Sequence, residues 1–281
     1  MAGGPRVFFA VFLLSVVAGT AGALLGLGGG IIIIPALTLL LNLPIRFAIG
    51  ASIVAVIATS CGAAASYIRS QMSNLRIGIA LEVMTTVGAL SGAVLAGHVS
   101  SRWLYIIFGL SLGYSAIALL GRLKLELPGE VPRDPLASRL ELSGEYYDQA
   151  LGQRVAYTAT GVIPGGLMMY VAGVFSGLLG IGSGLFKVLA MDIVMRLPMK
   201  VSTATSNFMI GVTAAASAGV YFSRGDIHPL IAGPVALGVL SGAWFGTHVM
   251  GRLRNTTIRK LFIPVLAIVA VEMIVRGVRV P

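Results

Sequence analysis

Residues 18–30 read AGTAGALLGLGGG, and residues 172–184 read AGVFSGLLGIGSG. Laid over itself with an offset of 154, the chain goes on matching without a gap from Ala18 as far as Gly97. Leu43-Pro44 falls on Leu197-Pro198, Ser52 on Ser206, Thr59 on Thr213, Tyr67 on Tyr221, Gly88-Ala89 on Gly242-Ala243 and Gly92 on Gly246. The chain is therefore a duplication, and each copy carries the same five apolar segments. They run over 7–25, 31–43, 47–68, 77–98 and 103–121 in the first copy, and over 156–179, 185–197, 201–222, 229–250 and 258–276 in the second.

Composition says what solvent these segments meet. Of the 281 residues 57% are hydrophobic and 11% charged, against about 25% charged in an ordinary soluble domain, and the mean hydropathy is +0.94. That excludes a soluble globule and a disordered chain. Cys61 is the only cysteine, which excludes an intrachain disulfide framework. Hydrocarbon tolerates only helices or closed barrels, because every backbone N–H and C=O must find a partner within the protein. The alternation of period two that marks a barrel is absent, so the segments are expected to be helices. The first segment has the look of a secretory leader, but a cleaved leader would not recur in mid-chain.

The net charge of +10 suggests nucleic acid in a soluble protein, yet the basic residues stand singly or in pairs between apolar runs, with no aromatic interleaving. No nucleic-acid partner is expected. The exception is 122–154, where Arg122, Lys124, Arg133, Arg139 and Arg154 mix with Glu126, Glu130, Asp134, Glu141, Glu145 and Asp148. This stretch reads as a cytoplasmic linker with a small hairpin about the turn near Gly152, between a first transmembrane repeat (1–121) and a second (155–281).

Five crossings per repeat is an odd number, so the second copy starts on the opposite face and the repeats are inverted. Thirteen Lys and Arg then fall on the linker side and six on the other, which puts the linker in the cytoplasm. The second segment of each half is short for a full span. Two re-entrant segments would leave eight crossings and parallel halves, and ten is the preferred reading.

GLGGG (26–30) and GIGSG (180–184) interrupt apolar sequence just before these short segments. Such breaks free backbone N–H groups and aim the positive end of a helix dipole into the membrane, where a small anion is the natural guest. Gly26, Gly28, Gly29 and Gly30, with Gly180, Gly182, Ser183 and Gly184, are the candidate site. Neither loop continues as a phosphate-binding Gly-Lys-Ser/Thr or completes a dinucleotide fingerprint. Close packing through small residues is the competing structural explanation.

The paired blocks GLGGGIIIIPAL with LPIRFAIGASIVAV, and GIGSGLFKVLAM with LPMKVSTATSNFMI, resemble the TauE/SafE sulfite exporter family, also called the 4-toluene sulfonate uptake permease family. The resemblance covers nearly all of the chain except the linker. It implies a secondary transporter in the inner membrane of a bacterium or archaeon that moves small, often sulfur-containing anions such as sulfite, sulfonates or sulfoacetate. The second copy departs from the first at Lys187 and Leu189, where the first has Ile33 and Pro35.

Several side chains join the candidate set. Lys187 is costly at mid-membrane, about 2.5–3.5 kcal/mol on insertion scales. It is expected to attract the anion, to pair with Glu82 or Asp192, or to snorkel to the interface. Ser206, its counterpart Ser52, and Asn207 offer donors to an oxyanion one turn inside a helix, whereas Ser202 or Thr203 reads as its cap. Glu82, whose counterpart is Ala236, is a carboxylate able to carry a coupling proton or to neutralise Lys187. Asp192 and Glu272 read as partners of Arg196 and Arg276 four residues on. His98 and His248 lack companions at ligand spacing, so no metal and no cofactor is expected.

The sequence thus predicts an all-α polytopic membrane protein with two homologous, inverted repeats and helices discontinuous at Gly-rich breaks. It reads as a transporter of small anions by alternating access, not as an enzyme. An anion channel and an intramembrane hydrolase using Ser183 with His228 or His248 are the alternatives. Oligomeric state, coupling ion and direction of transport are open at this stage.

Overall fold

The computed structural model describes residues 5–25, 28–69, 72–121, 134–149, 151–250 and 255–279. The first half holds α1 (Pro5–Leu25), α2 (Gly30–Pro35) running into a π-helical turn (Ala36–Leu40), α3 (Ile45–Arg69), α4 (Leu75–Ala96) and α5 (Ser101–Leu120). After the short α6 (Pro135–Arg139) and the strands β1 (Ser143–Asp148) and β2 (Gln153–Thr158), the second half repeats the series. It comprises α7 (Val162–Leu179), α8 (Gly184–Leu189) with its π-helical turn (Ala190–Val194), α9 (Met199–Ser223), α10 (Pro229–Met250) and α11 (Asn255–Arg279). Each apolar segment anticipated from the sequence corresponds to one helical piece. The protein is an all-α, multi-pass membrane protein, in which Ile45–Ala64, Leu75–Ala96, Val162–Leu179 and Pro229–Val249 are long and apolar enough to cross a bilayer.

Both π-helical turns fall at the same place in the repeat, although one follows Pro35 and the other Leu189. The proline is therefore not what widens the helix. Each turn is followed by Leu-Pro, which ends the segment, and Pro198 then stands as N-cap of α9 with its φ fixed.

The halves interlock rather than lie side by side. Helix α1 packs on α10, and α4 on α7, while α3 meets α9 at the centre and α5 meets α11. Glycines carry the first two of these contacts: Gly238, Gly242 and Gly246 lie against the backbone of Phe12, Val16 and Thr20, and Gly88 and Gly92 against Tyr170 and Val174. These spacings of four put one small residue per turn on a single face, and they let backbones approach without Cβ atoms between them. Residue numbers rise together along α1 and α10, and along α4 and α7, so these pairs are parallel. Along α5 and α11 they run oppositely, Gly109 meeting Ile274 and Gly277 meeting Tyr105 and Ile106.

Helix α9 also runs parallel to α4, with Asn74 beside Thr205 and Glu82 beside Thr213. Since α7 is parallel to α4 as well, the α8 segment between α7 and α9 must carry the chain back along α7. It does so: Thr160, just before α7, donates its N–H to the carbonyl of Met195 at 3.1 Å.

The two strands form an antiparallel hairpin with Ser143 opposite Thr158 and Asp148 opposite Gln153. It sits over the starts of α4, α7 and α9. Asn74 caps α4 by accepting from Ile77 and also donates to Tyr157 and Ser143 of the hairpin. Asp134 accepts from Leu136 and Val162, tying α6 to α7. Those backbone bonds, Val162 foremost, hold its carboxyl below the ordinary range.

Candidate functional site

The two glycine breaks meet at the centre of the bundle, between α3 and α9. Gly28 and Gly182 both take φ of +72°, a left-handed conformation that glycine adopts at no steric cost. Each turns its Cα towards the same two side chains, Val56 of α3 and Ile210 of α9. Val56 and Ile210 are themselves related by the 154-residue offset, and both are fully buried. Gly30 faces Ile181 of the other break as well as Ser52 and Val56. Gly29 (φ +74°) and Ser183 (φ +47°) are the equivalent residues preceding α2 and α8, so the serine occupies a conformation that L-residues seldom adopt. Gly26 lies outside the described residues.

Polar groups around the breaks are buried and partly unpaired. Ser52 donates to the carbonyl of Gly180 at 2.8 Å, across the boundary between halves, and Ser206 donates to that of Gly184 at 3.3 Å. The Asn207 amide nitrogen is spent on the carbonyls of Ala23 (3.0 Å) and Thr203 (3.2 Å). What it leaves free is an acceptor, Oδ1, and not a donor. Ser183 Oγ, Ser176 Oγ and Ser202 Oγ are likewise buried without a hydrogen-bond partner, an expensive condition unless something else satisfies them in another state.

Helix breaks also orphan carbonyls, and two tyrosines answer for them. Tyr67 donates to Ala23 at 3.0 Å, and Tyr221 to Gly177 at 2.7 Å, at positions related by the repeat. Both rings are buried. They are packing residues that cap the ends of α1 and α7.

The ion pair foreseen for Lys187 forms with Glu82. Lys187 is wholly buried, and its Nζ lies 3.6 Å from Glu82 Oε2 and donates to the hydroxyl of Thr213. Thr213 in turn donates to Glu82 Oε1 at 2.6 Å, so one hydroxyl links the cation to the carboxylate. Thr86 (3.1 Å) and Thr85 (3.3 Å) also donate to Glu82. Two charges removed from water repay their desolvation only with good geometry and further hydrogen bonds, which the three threonines supply. Lys187 does not snorkel. Arg276, expected beside Glu272, instead reaches Asn42 Oδ1 at 3.1 Å.

Val56, Ile210 and Thr213 were not singled out as site residues on sequence. The signal for the first two was present: they stand four residues, one helical turn, beyond Ser52 and Ser206. No group of metal-ligating residues occurs among the described residues, and His228 and His248 are exposed whereas Ser183 is buried.

Interlocked helix repeats, paired broken helices and a buried polar site where the breaks meet define a membrane transporter of the duplicated kind. The sulfite exporter TauE/SafE family profile matches residues 11–273, and the chain belongs to that family, a family of transporters and not of enzymes. It is similar to the probable membrane transporter protein YunE of Bacillus subtilis (strain 168), 26% identical over 96% of this chain and 98% of that protein. It is also similar to the probable membrane transporter protein YdhB of the same organism, 28% identical over 85% and 87%. No solved structure matches.

Proposed function

We propose that the protein is a secondary transporter of small, sulfur-containing anions of the sulfite, sulfonate or sulfoacetate type. It works by alternating access between two inverted halves, in the plasma membrane of a bacterium or archaeon with the hairpin facing the cytoplasm. The observation that carries this reading is the convergence of Gly28 and Gly182, one from each break, on one buried spot beside Val56 and Ile210, where Ser52 bonds the carbonyl of Gly180 across the halves. The antiparallel α5–α11 pair supports inversion, because helices related by an axis in the membrane plane must run oppositely.

The anion is held by backbone N–H groups of the breaks with Ser52, Ser183 and Ser206. Lys187 and Glu82 form the coupling pair: a proton taken up by Glu82 from one face leaves the Lys187 cation free to balance the anion, and release of that proton to the other face restores the pair. Val56 and Ile210, packed between the breaks, favour a carrier over an anion channel, since they close the path at its centre.

Flux of sulfur-35 sulfite into proteoliposomes tests the reading. Saturable uptake and counterflow are expected, lowered strongly by Ser183→Ala together with Ser206→Ala. Conductance without saturation would replace the carrier with a channel, and flux untouched by the double substitution would remove the site.

A further inference from the structure

Lys200 and Arg46 are repeat equivalents, each on the first turn of a central helix just after Leu-Pro. They therefore mark the two opposite ends of the α3–α9 core. Their surroundings differ. Arg46 is half-buried and donates to the carbonyl of Val99 at 3.2 Å, a neutral partner. Lys200 is sealed beneath the hairpin, its Nζ 2.7 Å from Asp148 Oδ1, with the two side chains exposed by only 3% and 2%. The carboxylate is also fixed from its own side, by the Tyr146 hydroxyl at 3.1 Å and the Leu151 N–H at 3.3 Å. The hairpin, like the short α6 beside it, belongs to the linker and has no counterpart in the repeat.

A buried ion pair is a poor choice for gluing a hairpin to a helix, since an apolar contact of equal size holds as well or better. What an ion pair offers is exchange: another anion can take the place of the carboxylate. Resting on the transport reading above, we propose that Lys200 is an anion-binding site at the hairpin-side mouth, and that the Asp148 carboxylate occupies it as a tethered stand-in which a substrate oxyanion displaces. The ligand class is a small sulfonate, sulfite or carboxylate, matched in charge and size to the group now in place. Displacement frees the hairpin, which also bonds Asn74 through Tyr157, Asn74 in turn donating its N–H to Thr205 of α9, and so opens the way to Ser206.

The test uses the full-length protein in proteoliposomes with sulfur-35 sulfite supplied from the hairpin side. Asp148→Asn removes the competing charge and is expected to lower the half-saturating sulfite concentration several-fold. Lys200→Met raises it, while Lys200→Arg stays near the unaltered protein. A second readout does not depend on transport. In a Cys61→Ser background, Leu142→Cys places a thiol at a buried position beside the hairpin, and its reaction with a membrane-impermeant maleimide reports release. Sulfite is expected to speed labelling, and Asp148→Asn to make it fast without sulfite. If Asp148→Asn leaves half-saturation and labelling unchanged while flux saturates, the mouth site falls and the transport reading stands. If sulfite speeds labelling but no sulfite crosses, the transport reading falls and the mouth site stands.

Discussion

Thr59 and Thr213 occupy equivalent places in α3 and α9, and each bonds the carbonyl four residues back, Ala55 or Met209. Only Thr213 goes on to touch charges, because Lys187 and Glu82 stand where the other half has Ile33 and Ala236. The glycine contacts behave otherwise: Gly88 and Gly92 of α4 have their counterparts Gly242 and Gly246 in α10 doing the same work. Duplication thus kept these glycine contacts in both copies, whereas the buried charge pair stands in one arrangement alone.

Replacing residues of one half by those of the other sharpens this comparison. The largest effect is expected from breaking the charge pair: Glu82→Ala alone strands Lys187 in the interior and should cost about 3–5 kcal/mol. Combining it with Lys187→Ile copies the uncharged half and should recover most of that loss while abolishing proton-coupled flux. Thermal unfolding in detergent of both single variants and the double measures the coupling, and additive losses would mean that the pair is not energetically joined.

Next come the glycine contacts. A Cβ at Gly177 would stand 1.9 Å from the Ala89 carbonyl oxygen, so Gly177→Ala should cost about 1–3 kcal/mol by overpacking. The counterpart of Gly177 is Ala23, so the penalty belongs to the α4–α7 contact alone. Tyr221→Phe should cost about 1–3 kcal/mol by leaving a buried carbonyl unpaired, and Tyr67→Phe should cost less, because the Ala23 carbonyl keeps the Asn207 amide as a donor. Tyr221 should be the more sensitive, because it serves both Gly177 and Leu178. The smallest effect reverses sign: Ser183→Gly restores the residue of the first copy and should stabilise by about 1 kcal/mol, yet reduce sulfite affinity by removing a hydroxyl. A stabilised variant with unaltered flux would show that the serine is an accident of divergence.

Helical segments and the duplication were legible because hydrocarbon leaves the backbone a single economical solution and because an offset of 154 needs no structure to be seen. The Lys187–Glu82 pair was legible as one of two choices, since a buried cation demands a carboxylate; the threonine that joins them was not, because a hydroxyl makes no such demand. Asn207 illustrates a different limit. Its residue type offers both donors and an acceptor, and only the positions of the Ala23 and Thr203 carbonyls decide which remains. Val56 and Ile210 are ordinary apolar residues, and their importance lies wholly in where the glycines approach.

The exchange of partners between halves has a consequence for biogenesis. The glycine-bearing groove on α10 that receives α1 is encoded some two hundred residues later, which at about 5–20 residues per second is a wait of about 10–40 s. During translation the first helix must therefore rest unpaired in lipid or beside an insertase, and a truncated messenger ending before α10 should yield a half-protein destined for degradation.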